Sequence, residues 1–178
     1  CQNGDVQFCP ETWNQAVGLS VDNPGGLTSK IAVRSDMVIK VPDNIQDEEV
    51  AMVEPLAVGL HAAHLGRIAV GDDVLVIGAG IIGLASAEFA KKEGASYVAI
   101  TETNKARGEK AVDLKVADEY YDATDKDLVS KLMAKTNGGF DVVIECVGNG
   151  AAVNSALTMV KPGGIVVLVG VATDAVPT

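Results

Sequence analysis

The sequence predicts an α/β fold in which helices wind on both faces of a parallel sheet. Three observations predict it. From Asp73 onward, short apolar runs without alternation recur, as strands buried on both faces require. Helix-forming stretches separate these runs, so strand and helix alternate, which implies right-handed crossovers and parallel pairing. Finally, the stretch from Asp73 to Gly83 turns an apolar strand into a helix through Gly78, Gly80 and Gly83, with G-x-G-x-x-G spacing.

Residues 1–41 differ from the rest. Gly and Asn are frequent there, and Pro24-Gly25-Gly26 marks a turn. Ile31-Ala32-Val33 and Met37-Val38-Ile39 predict small strands. The piece is too short and too polar for a core of its own, so it reads as the tail of a β-rich domain. Pro42-Asp43-Asn44 is the boundary, which makes 42–178 the second domain. Asp47 opens a helical stretch to about Val53. Pro55 starts a second helix, Leu56 to about Leu65, because proline suits a first helical turn. Gly66 ends it, and Val70-Gly71-Asp72 leads into the first strand.

Val74 to Ile77 form that strand. Gly78 permits the tight turn after it, Gly80 lets the backbone approach a pyrophosphate, and Gly83 lets the helix pack closely on the strand. A diphosphate at Gly80, Ile81 and Ile82 meets free N–H groups and the positive end of the helix dipole. The second strand, Tyr97 to Thr101, ends at Glu102. That acid lies 19 residues beyond Gly83, close to the roughly 20 expected of the group that binds the adenosine ribose hydroxyls. The alternative is a solvated glutamate at a strand end. Both members together predict a dinucleotide or similar nucleotide site. Glu102 favours NAD over NADP, because a carboxylate repels a ribose 2′-phosphate, while Lys105 keeps NADP open.

The later elements follow the same alternation. A helix is predicted from about Asn104 to Leu114, a short strand from Glu119 to Tyr121, and a helix from about Lys126 to Lys135. Asn137-Gly138-Gly139 is a loop. Asp141 to Cys146 is the fourth strand and Ala151 to Val160 the next helix, closed by Lys161-Pro162-Gly163-Gly164. Ile165 to Val171 is the fifth strand. A complete dinucleotide fold has six strands, so the sheet is expected to be truncated after strand five, with the sixth beyond Thr178.

Composition narrows the function. Hydrophobic residues make up 48% of 178, which provides for a core. A net charge of −10 argues against nucleic-acid and anionic-membrane surfaces. The longest apolar run, Val74 to Ala87, is broken by glycines and too short for a membrane span. The chain begins with Cys1 rather than Met, and Thr178 follows Pro177 with no closing element, so the expectation is a segment of a longer protein. With no signal-peptide pattern and an odd count of three cysteines, a reducing, cytoplasmic compartment is expected.

Along nearly its whole length the chain resembles the zinc-dependent medium-chain alcohol and polyol dehydrogenases, nearest the branch of sorbitol, butanediol and threonine dehydrogenases. The likeness rests on Val53-Glu54-Pro55-Leu56-Ala57-Val58-Gly59-Leu60-His61-Ala62, on Gly71 to Leu84, on Asp141-Val142-Val143-Ile144-Glu145-Cys146-Val147-Gly148, and on Pro162-Gly163-Gly164. The resemblance implies a Rossmann sheet preceded by the end of a GroES-like catalytic domain. It implies hydride transfer between a secondary alcohol or polyol and NAD, with zinc as Lewis acid in the full-length protein, which is expected to be a homo-oligomer. By resemblance, Gly78, Gly80, Ile81, Ile82 and Gly83 carry the diphosphate, Glu102 the ribose, and Arg107 lines the adenine. Val147 and Gly148 lie beside the nicotinamide, and Val169, Gly170 and Val171 line its carboxamide.

Metal residues also follow from the likeness. Glu54 matches a glutamate near the catalytic zinc, as ligand or through water; otherwise it offsets the positive end of the helix beginning at Pro55. Cys1 and Cys9 match the third and fourth cysteines of a structural-zinc lobe, C-x2-C-x2-C-x7-C, and two thiolates leave that site incomplete. Cys146 is expected in the core. His61 and His64 are expected to serve helix packing rather than metal, and Glu145 strand-end hydrogen bonding. Gly25 to Lys30 departs from the family's Gly-Gly-Phe-Ala-Glu-Tyr. The segment with the catalytic cysteine and histidine ligands is absent, so this piece alone is expected to be inactive. The rival readings are a methyltransferase, a zinc-free medium-chain reductase and a non-catalytic nucleotide-binding module.

Overall fold

The structure is a computed structural model that describes residues 4, 6–18, 20, 23 and 25–172. Contacts divide it into two units, one up to Asn44 and one from Ile45 onward.

The first unit contains a single-turn 3-10 helix at Val6–Phe8, helix α1 (Thr12–Gln15) and a second 3-10 turn at Ser35–Met37. The expected strands at 31–33 and 37–39 do not form. Ile31 and Ile39 are exposed, and no described segment of this unit pairs with them. β-propensity without a partner strand and a face to bury does not make a strand.

The second unit begins with α2 (Asp47–Val50), closed at its start by a reciprocal cap between Gln46 and Glu49. Helix α3 (Val53–Gly66) starts two residues before Pro55, which falls in its first turn, and ends at Arg67 in a left-handed conformation. Then come β1 (Asp73–Ile77), α4 (Ile81–Glu93), β2 (Tyr97–Glu102), α5 (Lys105–Asp113), β3 (Glu119–Asp122), α6 (Leu128–Lys135), β4 (Phe140–Glu145), α7 (Gly150–Met159) and β5 (Val160–Leu168). Asn104 and Asn149 cap α5 and α7, each accepting a backbone N–H three residues on.

All five strands are parallel, in the order β3-β2-β1-β4-β5. Successive side chains of a strand point to opposite faces, and here both faces are buried. Val74, Val76, Val98, Ile100, Val142 and Ile144 pack with Ala62, Ala63, Ala87, Ala90 and Ala111, from α3, α4 and α5. Leu75, Ile77, Ala99 and Val143 pack on the other side with Leu128, Leu132, Ala152, Ala156 and Met159, from α6 and α7. The expected doubly wound sheet is therefore present. Alanines and glycines on α3 and α4 let these helices come very close; a Cβ on Gly59 would stand 2.5 Å from that of Ala85.

One boundary differs from expectation in an instructive way. The Lys161-Pro162-Gly163-Gly164 turn lies inside β5 rather than before it. Phe140 pairs with Val160, and the next partner of β4, Val142, pairs with Ile165. The intervening residues bulge out of the ladder, with Gly163 at φ +84°. Proline is tolerated there because the bulge needs no ladder hydrogen bond from it. Among the described residues no helix is long and apolar enough to cross a membrane.

Candidate functional site

The carboxyl ends of β1, β2 and β4 meet where the chain leaves β1 for β2 on one side and reaches β4 on the other. In an open α/β sheet this switch point is where ligands bind. Gly78, at the end of β1, adopts φ +102°, which a side chain would resist. Its N–H donates to Thr101 O at 2.8 Å, tying the turn to β2.

The other two glycines are needed for different reasons. A Cβ on Gly83 would fall 1.8 Å from Gly78 O, so glycine lets α4 rest directly on the turn. A Cβ on Gly80 would meet nothing within 4 Å, and its backbone (φ −72°, ψ 179°) suits any residue. Among the described residues nothing calls for glycine there. Gly80 is also the N-cap of α4 and has no side chain to offer the first-turn amides. Those amides and the positive helix end leave an exposed corner at Gly80 and Ile81, with Ile82 partly covered behind them, a geometry that suits an anion.

Glu102 stands beside this corner at the end of β2, half-buried. Oε2 accepts from Ala79 N–H at 2.9 Å, so the acid also braces the glycine turn. Oε1 accepts from the N–H groups of Thr103 and Asn104, both at 2.9 Å, and from the Thr103 hydroxyl at 3.1 Å. Burial pushes its pKa up, but hydrogen bonds from Asn104, Ala79 and Thr103 outweigh this and hold the carboxyl below its ordinary value. The group is therefore a carboxylate at neutral pH, and Oε2 keeps a lone pair for a hydroxyl donor. Arg107 lies exposed in the first turn of α5.

Across the switch point, Val147 Cγ2 would lie 2.9 Å from a Cβ on Gly78, and Cys146 N–H donates to Ile77 O at 2.9 Å. Val147 is exposed, Gly148 buried beneath it, and Val169, Gly170 and Val171 follow the end of β5 alongside. The predicted cofactor residues thus gather along one edge of the sheet. Glu145 does the strand-end hydrogen bonding expected of it, accepting from Val147 N–H at 2.6 Å and Gly148 N–H at 2.8 Å. The bracing of Ala79 by Glu102 was not foreseen; nothing in a linear pattern signals a bond between residues 23 apart.

Glu54 is exposed in the first turn of α3, where a negative charge opposes the helix dipole. Cys9 is a half-buried free thiol, and Cys1 lies outside the described residues. No three His, Cys, Asp or Glu side chains among the described residues are grouped to hold a metal. These residues alone do not fit a tetrahedral zinc, whose donors would have to come from elsewhere. His61 and His64, expected to pack against a neighbour, are both exposed; Gly59, Ala62, Ala63 and Gly66 form the buried face of α3. His64 Nε2 lies 3.1 Å from Glu93 Oε1 at the end of α4. Cys146 packs against the core as expected, and burial pushes its thiol pKa up to about 12.

The family described as zinc-binding dehydrogenase matches residues 82–178, more than half of the chain. The chain belongs to the zinc-binding dehydrogenase family. Sorbitol dehydrogenase of Bombyx mori is 34% identical over 182 residues, covering 99% of this chain and 51% of that protein. (R,R)-butanediol dehydrogenase of Neisseria gonorrhoeae is 39% identical over 148 residues, covering 83% and 42%. Among solved structures, a candidate zinc-binding dehydrogenase of Sinorhizobium meliloti 1021 bound to NADP has a TM-score of 0.88 at 30% identity, covering 100% of this chain and 52% of that one. The alcohol dehydrogenase TADH from Thermus sp. ATN1 has a TM-score of 0.73 at 34% identity, covering 79% and 41%. The chain spans about half the length of the curated relatives it matches. The family expected from the Glu-Pro-Leu and glycine segments is the one found.

Proposed function

We propose that this segment is the dinucleotide-binding part of an NAD-linked dehydrogenase of secondary alcohols or polyols. The observation that carries the reading is Gly80, a glycine the fold itself does not need, at an uncapped helix start beside an ionised Glu102. Gly78, Gly80, Ile81, Ile82 and Gly83 would hold the diphosphate through backbone N–H groups. Glu102 Oε2 would accept from an adenosine ribose hydroxyl, and the exposed Arg107 would flank the adenine. Val147, Gly148, Val169, Gly170 and Val171 would border the nicotinamide.

When bound, NAD supplies the hydride acceptor for oxidation of the alcohol carbon. The chain's own part is to fix the cofactor's position and to select its phosphorylation state. An ionised Glu102 beside the ribose favours NAD over NADP by charge repulsion. The NADP-bound relative keeps NADP as the second reading, and Lys105, exposed two residues beyond Thr103, is the cation nearest in sequence that could serve it.

Calorimetric titration of the full-length protein with NAD, NADP and S-adenosylmethionine tests the reading, together with a rate screen on a polyol panel with NAD. NAD should bind at least tenfold tighter than NADP, about 1.4 kcal/mol. Binding of S-adenosylmethionine without NAD would establish the methyltransferase alternative instead. Binding of NAD with no turnover of any alcohol would leave a nucleotide-binding module.

A further inference from the structure

Glu145 ends β4 as a fully buried acidic side chain. Its Oε1 accepts from the N–H groups of Val147 and Gly148 in the loop after β4. Its main-chain carbonyl accepts from Val169 N–H at 2.8 Å and Gly170 N–H at 3.0 Å, at the end of β5. One residue therefore ties both strand-end loops. The seam between them admits no side chain. A Cβ on Gly170 would stand 2.1 Å from Gly148 N, and a Cβ on Gly148 would stand 2.7 Å from Val171 N.

Glu145 Oε2 has no hydrogen-bond partner among the described residues, and a Cβ on Gly170 would press within 2.8 Å of it. Leaving a buried carboxyl oxygen bare is costly. An apolar residue here would avoid that cost but could not fix the two loop amides. The side chain fixes two loop amides while one of its oxygens stays bare, which points to the loop's placement rather than to bulk stability.

Geometry indicates what the placement serves. With the diphosphate at the start of α4 and one ribose over β2 at Glu102, the second nucleoside must lie on the opposite side of β1. The sheet order puts β4 and β5 there. We propose that Glu145 is a positioning residue whose side chain holds Val147 and Gly148, beside Gly170 and Val171, in the arrangement that receives the nicotinamide half of the cofactor, an inference that rests on the dinucleotide reading above. Glu145 does not reach the ligand; it acts through the backbone it fixes.

The test uses the full-length protein and two ligands, NAD and ADP-ribose, which differ by the nicotinamide. Glu145→Ala should weaken NAD by about tenfold and ADP-ribose by less than about twofold, since only the nicotinamide side loses its preorganisation. Glu145→Gln keeps a carbonyl acceptor for the two amides and should bind both ligands as wild type does. If Glu145→Ala does not fold, Glu145→Asp, whose carboxylate stops one methylene short, should show the same selective loss. Equal losses for both ligands, or no loss, in Glu145→Ala or Glu145→Asp would overturn the positioning role, as would a Glu145→Gln variant as weak as Glu145→Ala. Wild-type protein that binds neither ligand would overturn the dinucleotide reading and this inference with it.

Discussion

Gly80→Ala and Gly83→Ala add the same methyl group three residues apart, and the structure assigns them opposite consequences. At Gly80 the new Cβ meets no atom within 4 Å, and φ −72° is open to alanine. Two small effects remain. Alanine is a poorer N-cap than glycine, while replacing glycine stiffens the unfolded chain and stabilises by about 0.4–1 kcal/mol. They oppose each other, so stability should change by less than about 0.5 kcal/mol. At Gly83 the Cβ would lie 1.8 Å from Gly78 O and 2.9 Å from its carbonyl carbon, both backbone atoms. Helix α4 would have to move away from the turn, a cost at or above the usual overpacking range of about 1–3 kcal/mol. Urea denaturation of the full-length protein measures both. Calorimetry then separates folding from binding: Gly80→Ala should fold as wild type yet lose at least about tenfold in NAD affinity, because its methyl occupies the approach to the amides. A Gly80→Ala variant that binds NAD undiminished would refute the claim that glycine stands there for a ligand.

Four further outcomes follow from the same geometry. Glu102→Gln should lower NAD affinity and raise NADP relative to NAD by about tenfold, read by parallel titrations. Because the folded carboxyl titrates below its unfolded value of about 4.3, its contribution to stability is present above that pH and lost as pH falls through the folded value; Glu102→Gln should flatten that acid limb in a pH series of denaturation curves. Cys146, half-buried against the core with its thiol raised to about 12, should react with iodoacetamide at pH 8 more slowly in the folded protein than once urea unfolds it, as mass spectrometry of the peptide would record. Gly108→Ala would drive a Cβ to 2.1 Å from the Tyr120 ring, so it should cost about 1–3 kcal/mol in denaturation, and the Tyr120 hydroxyl bond to Glu102 O should weaken with it.

Much of the fold from Asp73 onward could be read from the chain because β1, β2 and β4 each carry a run of consecutive apolar residues and the helices follow a polar residue or glycine. Asn104 and Asn149 make this visible, sitting at the N-caps where the predicted helices begin or just before. The start of β5 could not be read. Pro162-Gly163-Gly164 signals a turn, and only the pairing of Phe140 with Val160 reveals that the strand had already begun. The pieces at 31–33 and 37–39 failed for the opposite reason, since a short apolar run cannot announce whether another strand will pair with it. In the site, Gly78, Gly80, Gly83 and Glu102 were legible because their spacing is local. The clamp at Glu145 was half legible: an acid inside an apolar run, three residues before a glycine, signals a bond back to the loop. That the same residue's carbonyl also holds Val169 and Gly170 depends on strand order, which no local pattern carries.

The two acids at this edge owe their different roles to strand register. Parallel pairing sets Ile77 of β1 opposite Thr101 on β2 and opposite Glu145 on β4. Glu145 is thus level with the last residue of the central strand, inside the sheet, with the loop after β4 folded over it. Glu102 comes one residue beyond Thr101, past the point where β1 has already turned away at Gly78, and its carboxylate emerges beside the glycine turn. A shift of one position in the pairing of β2 would exchange a half-exposed acid for a buried threonine, because side chains alternate between faces along a strand. The ionised group that can meet a ribose and the one that can act only through backbone amides are therefore the same residue type, separated by a single step of register.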